Sequence, residues 1–135
     1  MGFLSKIFGN KEEESFKLIE EELDKLKKKT ESEMIALIGS GGRLKGLPLI
    51  YVCDDEMELK KFSARLNELV KPIELLSDKR SFRDLIISYE NSVLFYKPIL
   101  SNVSYFAIFQ NRDNMLPLKQ WVYKKEDALK ELFHE

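Results

Sequence analysis

Residues 39–50 read GSGGRLKGLPLI, and the architecture turns on whether this glycine-rich stretch cradles a phosphate ahead of a helix or turns the chain between two strands. A phosphate loop of the form G-x-x-x-x-G-K-[ST] begun at Gly39 needs glycine where Leu44 stands. Begun at Gly41, it meets Gly46 but then Leu47 in place of lysine. The dinucleotide pattern G-x-G-x-x-G breaks at Leu44 as well, and the glycines lead into a strand where anion binding needs a helix N-terminus. The stretch therefore reads as a flexible hairpin loop whose glycines supply positive φ.

Its flanks agree. Residues 34–38, MIALI, and 49–53, LIYVC, are short continuous apolar runs, the pattern of strands buried on both faces. Upstream, residues 12–29 place Phe16, Ile19, Leu23 and Leu26 at helical spacing, with glutamates in the first turn and lysines in the last, as the helix dipole prefers. Downstream of Asp54, Leu59, Phe62, Leu66, Leu69 and Ile73 form a second helical stripe, which Pro72 is expected to end or kink near Val70.

The period then shortens to two. Residues 83–89 (RDLIISY), 92–97 (SVLFYK) and 103–110 (VSYFAIFQ) read as three strands. Turn chemistry at Glu90-Asn91 and at 98–102 makes them antiparallel neighbours. After the N-cap candidates of 111–114, Leu118, Trp121, Val122, Leu129 and Leu132 mark a last helix, with Lys125 interrupting the stripe. The element order is α-β-β-α-β-β-β-α, with no internal repeat.

Composition narrows the function classes. A chain of 135 residues with 44% hydrophobic residues makes one domain with a sufficient core. Lys plus Arg number 22 against 23 Asp plus Glu, so the basic excess that nucleic acid binding exploits is missing. Cys53 is the lone cysteine, which excludes an in-chain disulfide or cysteine-cluster metal site; no secretory signal or long apolar run appears, and a reducing cytosol is the expected location. The single histidine, His134, is penultimate and offers no anchored base for a Ser-His-Asp or Cys-His arrangement. Asp54, Asp55, Glu56 and Glu58 read as a helix cap with dipole partners, ahead of a hard-cation site, and Trp121 and Tyr123 read as packing. No catalytic residue, metal or cofactor is expected.

Residues 1–11 form a separate N-terminal segment. Phe3, Leu4, Ile7 and Phe8 fall on one face of a two-turn helix, with Ser5 and Lys6 on the other, the pattern of a peripheral membrane contact at the inner membrane surface or, equally, of a segment that packs on its own domain or a partner protein. The myristoylation signal M-G-x-x-x-[ST] finds Lys6 where it needs Ser or Thr. Burying four such side chains yields about 6–12 kcal/mol against about 7 kcal/mol for ordering the segment, so one copy binds weakly and two add avidity.

The tail of the opening stretch resembles a known family. Gly46-Leu47-Pro48-Leu49-Ile50 is similar to the G-L-P-I segment that opens the second strand of roadblock (dynein light chain) domains, and the element order over residues 12–133 resembles theirs. Asn114-Met115-Leu116-Pro117-Leu118 is similar to their N-L-G-L motif, with one extra residue and Pro117 where glycine is usual; the acidic D-G before G-L-P is replaced by Leu44-Lys45. The resemblance implies a roadblock-like domain over residues 12–135, a five-stranded antiparallel sheet with helices on both sides. It further implies a non-catalytic regulator or scaffold of a Ras-like small GTPase, dimeric with itself or with another roadblock protein.

Carried onto this sequence, the dimer surface is Phe62, Leu66 and Leu69 of the second helix with Leu85, Ile86, Ile87 and Ser88 of the third strand, the helix residues being equally readable as internal core. The strand is apolar on both faces, and an uncovered edge of that kind invites pairing. Two other readings share the helix-backed sheet. A longin-like trafficking module would begin with a strand and add a helix at its end, and a small-ligand-sensing or profilin-like binding domain would show a pocket.

Overall fold

A computed structural model of the chain describes residues 13–134; the amphipathic segment with Phe3, Leu4, Ile7 and Phe8 lies outside the described residues. Helix α1 (Glu13–Thr30) leads into strands β1 (Ser32–Gly39) and β2 (Pro48–Cys53), helix α2 (Glu56–Glu74), strands β3 (Leu85–Ser88), β4 (Val93–Leu100) and β5 (Val103–Phe109), and helix α3 (Met115–Phe133). The strands form one antiparallel sheet in the order β2-β1-β5-β4-β3, so the expected architecture is the one observed.

Alternation along each strand sends side chains to two cores. On one face Ile35, Leu37, Phe95, Tyr105 and Phe109 meet Phe16 and Leu23 of α1 and Leu118, Val122, Leu129 and Phe133 of α3. On the other, Met34, Ala36, Ile38, Phe106 and Ile108 meet Leu59, Leu66 and Val70 of α2. Interior strands β1 and β5 are thus covered on both sides, which is why their sequences are continuously apolar.

Some features differ from expectation. The strand expected over 83–89 spans only Leu85–Ser88, and helix α2, expected to end or kink near Val70, runs through Pro72 to Glu74. The proline removes one backbone donor close to the helix end, and the last turn is still closed by the Leu75 N–H to the Lys71 carbonyl at 3.2 Å. Strand β4 continues through Pro98 to Leu100, beyond the expected end at Lys97, leaving only Ser101-Asn102 as the turn. Strand β3 begins opposite Tyr96, so from Lys97 onward β4 has no neighbour on that side and Pro98 sits on an open edge. Strand β2, read as buried on both sides, is an edge strand: Leu49 and Ile50 are buried while Tyr51, Val52 and Cys53 are half-buried.

The stretch at 39–50 is a hairpin loop with its own packing. Gly39 and Leu47 close it by the Gly39 N–H to the Leu47 carbonyl at 2.8 Å, and Gly46 holds φ +83°. Leu44, 2% exposed, plugs into the α1/α3 core from a short 3-10 turn, Gly42–Leu44. A Cβ on Gly39 would lie 1.6 Å from the Leu44 carbonyl oxygen, so the plug seats only against glycine.

Leu44→Ala is expected to lower unfolding free energy by about 2–5 kcal/mol. Gly39→Ala should also destabilise through the clash, whereas Gly42→Ala, with open space around it, should cost only its left-handed backbone, about 1–2 kcal/mol. Urea midpoints of the three variants test this order.

Candidate docking surface

Helix α2 begins at Asp55, whose carboxylate accepts from the N–H groups of Met57 at 3.0 Å and Glu58 at 3.3 Å. Of the acidic group, Asp55 caps the helix, Asp54 pairs with Lys27, Glu56 receives the Tyr51 hydroxyl and Glu58 pairs with Lys61. Among the described residues, no group of three His, Cys, Asp or Glu side chains is placed to hold a metal ion. No helix among them is long and apolar enough to cross a membrane.

The helix lies over β1 and β2, away from the centre of the sheet. One flank is tied to that side: the Tyr51 hydroxyl donates to the Glu56 carboxylate, and the Asn67 amide donates to the Gly39 carbonyl at 3.1 Å. The Tyr51 phenol is pushed up to about 12, first by the bond to Glu56 and then by burial. Phe62, Leu69 and Ile73 fall on the opposite flank by helical spacing, toward β4 and β3. Phe62 is half-buried with its ring 6.4 Å from that of Phe106, and Leu69 is 46% exposed.

Beyond that flank the sheet is incompletely covered. Register places Leu85 and Ile87 beside Tyr96 and Leu94 on the α2 face, where both are half-buried, and Ile86 beside Phe95 on the other face, 42% exposed, with Ser88 exposed. The α2 flank and β3 thus make an apolar trough beside a free strand edge, with Phe82 over Tyr96 at its end. Six of the seven interface residues read from the sequence border this trough or edge. Leu66 does not: at 3% exposure it faces the sheet and is internal core. Phe82 joins the trough instead, and Ile73 lies on the same helix flank by spacing. The signal for Ile73 is its place four residues beyond Leu69; nothing local marks Phe82.

The two sheet edges differ chemically. At β2, charged and polar contacts flank the edge: the Lys27 ammonium pairs with Asp54 at 2.5 Å beside the Tyr51–Glu56 bond. Within β3 the side chains are two isoleucines, a leucine and a serine, and its charged neighbours, Arg83, Asp84 and Arg112, sit at the strand's ends. A cleft of about 590 Å³ lies between the end of α2 and β4, lined among others by Asn67, Lys71, Phe82, Tyr96 and Ser104. Its floor is a chain of hydroxyls, with Tyr96 and Ser104 at 2.7 Å and Ser104 donating to Ser40 at 3.0 Å.

No family model matches the sequence, and no curated protein sequence does. Solved structures match it in fold. Myxococcus xanthus MglB superposes with a TM-score of 0.72 at 17% identity, covering 91% of this chain and 96% of its own. A structure described as MglB with tetrameric arrangement gives 0.71 at 14% identity, over 87% and 88%. A Roadblock/LC7 domain from Streptomyces avermitilis gives 0.61 at 12% identity, over 79% and 93%. The chain has the roadblock fold.

Core and trough residues on the same helix should separate by stability. At concentrations where unfolding no longer changes on dilution, Leu66→Ala is expected to cost about 2–5 kcal/mol and Leu69→Ser less than about 0.5 kcal/mol. Equal losses in chemical unfolding would place Leu69 in the core.

Proposed function

We propose that this chain is a non-catalytic regulator or scaffold of a Ras-like small GTPase, joined in pairs through β3 and the α2 flank so that two domains form one docking platform. The observation that carries this reading is the apolar β3 edge, paired on one side only, beside the trough, in a fold shared with roadblock and MglB structures. That one MglB structure is described in a tetrameric arrangement supports assembly as a habit of the fold. The second copy is this chain or another roadblock protein.

The nucleotide belongs to the partner on this reading. Residues 39–50 are consumed in closing a hairpin and seating Leu44, and Gly42–Leu44 is a single 3-10 turn running on to β2, which offers no N-terminus for a phosphate. The small-ligand-sensing alternative draws on the cleft at Tyr96, though its hydroxyls are already bonded to one another.

In size exclusion with light scattering at tens of micromolar, the chain should run as a dimer and Ile86→Asp as a monomer of unchanged fold. A strict monomer, unaltered by Ile86→Asp, would remove the joining claim. The purified protein should neither bind nor hydrolyse GTP, and should change phosphate release or exchange by a small GTPase of its host if a regulator, or only that partner's location if a scaffold. Micromolar affinity for GTP that is lost on changing Gly41 or Lys45 would instead make the loop a phosphate site.

We infer further that residues 2–9 contact a membrane surface through Phe3, Leu4, Ile7 and Phe8. Full-length protein should float with anionic liposomes, and the Phe3→Ser, Phe8→Ser double variant should float markedly less. Equal flotation of the two would sink this part of the reading.

A further inference from the structure

Strand β3 has only four residues, is hydrogen-bonded to β4 alone, and leaves both its faces part-exposed. A strand this short at a sheet edge frays unless something beyond the ladder holds it. Here groups on and just before α3 hold both of its ends.

At the leading end, the Tyr123 hydroxyl donates to Asp84 Oδ2 at 2.6 Å and accepts from Arg83 Nε at 3.0 Å. The phenol's one proton and its acceptor role are thus both used on the two residues that immediately precede the strand. The Arg83 guanidinium also lies over the Tyr123 ring, 5.2 Å from its centroid. The ring itself is fixed from the sheet. Lys97 Nζ sits 4.7 Å from the ring centroid, and Lys97, almost fully buried on β4, pairs with Glu126 of α3 at 3.2 Å. At the trailing end, the Arg112 guanidinium donates to the Ser88 hydroxyl. Burial, and then the bond to Asp84, push the Tyr123 phenol up, so it stays protonated and able to donate.

We propose that Tyr123 is a positioning residue for the joining edge: by gripping Arg83 and Asp84 while Arg112 holds Ser88, it keeps β3 extended before any second strand arrives. This rests on the reading of β3 as the edge through which domains pair. A template strand that is already ordered spares the assembly the ordering cost on association. Tyr123 touches no second copy in this role and acts through β3.

Amide exchange in the full chain, below its self-association range, reads the grip directly, because it does not need a dimer. Tyr123→Phe keeps the ring and its cation contacts while deleting both hydroxyl bonds. It should speed exchange of residues 85–88 by about tenfold while leaving β5 amides unchanged. Asp84→Ala should do the same, with the double variant no faster than either single. Self-association of Tyr123→Phe should weaken by about tenfold, with its melting temperature within about 2 °C of the parent. Unchanged exchange at 85–88, or equal acceleration in β5, would overturn the proposal. So would faster exchange at 85–88 with undiminished association. A parent chain that stays monomeric while residues 85–88 still loosen would support the grip and remove the pairing reading alone.

Discussion

The open surface results from the fastening of α2 to one half of the sheet. Glu56 in its first turn receives the Tyr51 hydroxyl of β2, and Asn67 bridges the Ser63 carbonyl of its own helix to Gly39 at the end of β1. Five strands spaced about 4.8 Å apart span roughly 19 Å, whereas one helix with its side chains covers about 10 Å. A helix held over β1 and β2 cannot also shield β3. The half-burial of Leu85, Ile87 and Phe82 is therefore built in by two hydrogen bonds and the width of a sheet.

The other face has two helices and is covered except near the β3 edge, where Ile86 is exposed. Tyr105 is its hub: fully buried, it packs edge-on to Phe95 at 6.1 Å, stacks on Trp121 at 5.6 Å, and donates its hydroxyl to the Leu118 carbonyl at 2.9 Å. Trp121 in turn donates to Glu22 of α1 at 3.2 Å, which locks the helices to one another as well as to the sheet. On α3, burial opposes the charge on Glu126, but the hydrogen bonds and charges of Lys97 and Lys130 together outweigh it and hold the carboxyl below the usual range. Glu126 thus stays charged at neutral pH, and its bond holds Lys97 against the Tyr123 ring.

Hydrophobic periodicity is local, and it carries the element order from end to end. What it cannot carry is sideways placement. Phe62, Leu66 and Leu69 belong to one stripe, yet Leu66 points into the sheet, Phe62 lies half-buried at the flank and Leu69 is largely open, because the helix is shifted across the sheet by contacts from distant residues. Pro72 and Pro98 depart from the local reading for a related reason. A proline's cost depends on how much of the ladder it interrupts: Pro72, two residues before the helix ends, forgoes the single bond its N–H would make to the Glu68 carbonyl, and Pro98 lies where β3 no longer pairs with β4. The Tyr123–Asp84 bond joins residues 39 apart in sequence, and no motif announces it.

The unequal edges bear on what kind of assembly this sheet can build. Were both edges apolar and open, each copy could pair at β2 and at β3, and sheets would extend without limit. At β2 the Lys27–Asp54 pair and the Tyr51–Glu56 bond put charge and fixed polar groups beside the edge, so a strand approaching there would have to displace or desolvate them. At β3 the charged groups, Arg83 and Asp84 before the strand and Arg112 on Ser88, sit at its two ends, and Ile86 between them is ready for burial. Pairing of β3 with β3 uses the same patch on both copies and consumes it, which closes the assembly at two domains in that direction. On the proposed reading, the guarded edge is as much a part of the docking platform as the open one, because it limits sheet pairing to a closed pair and keeps the platform finite.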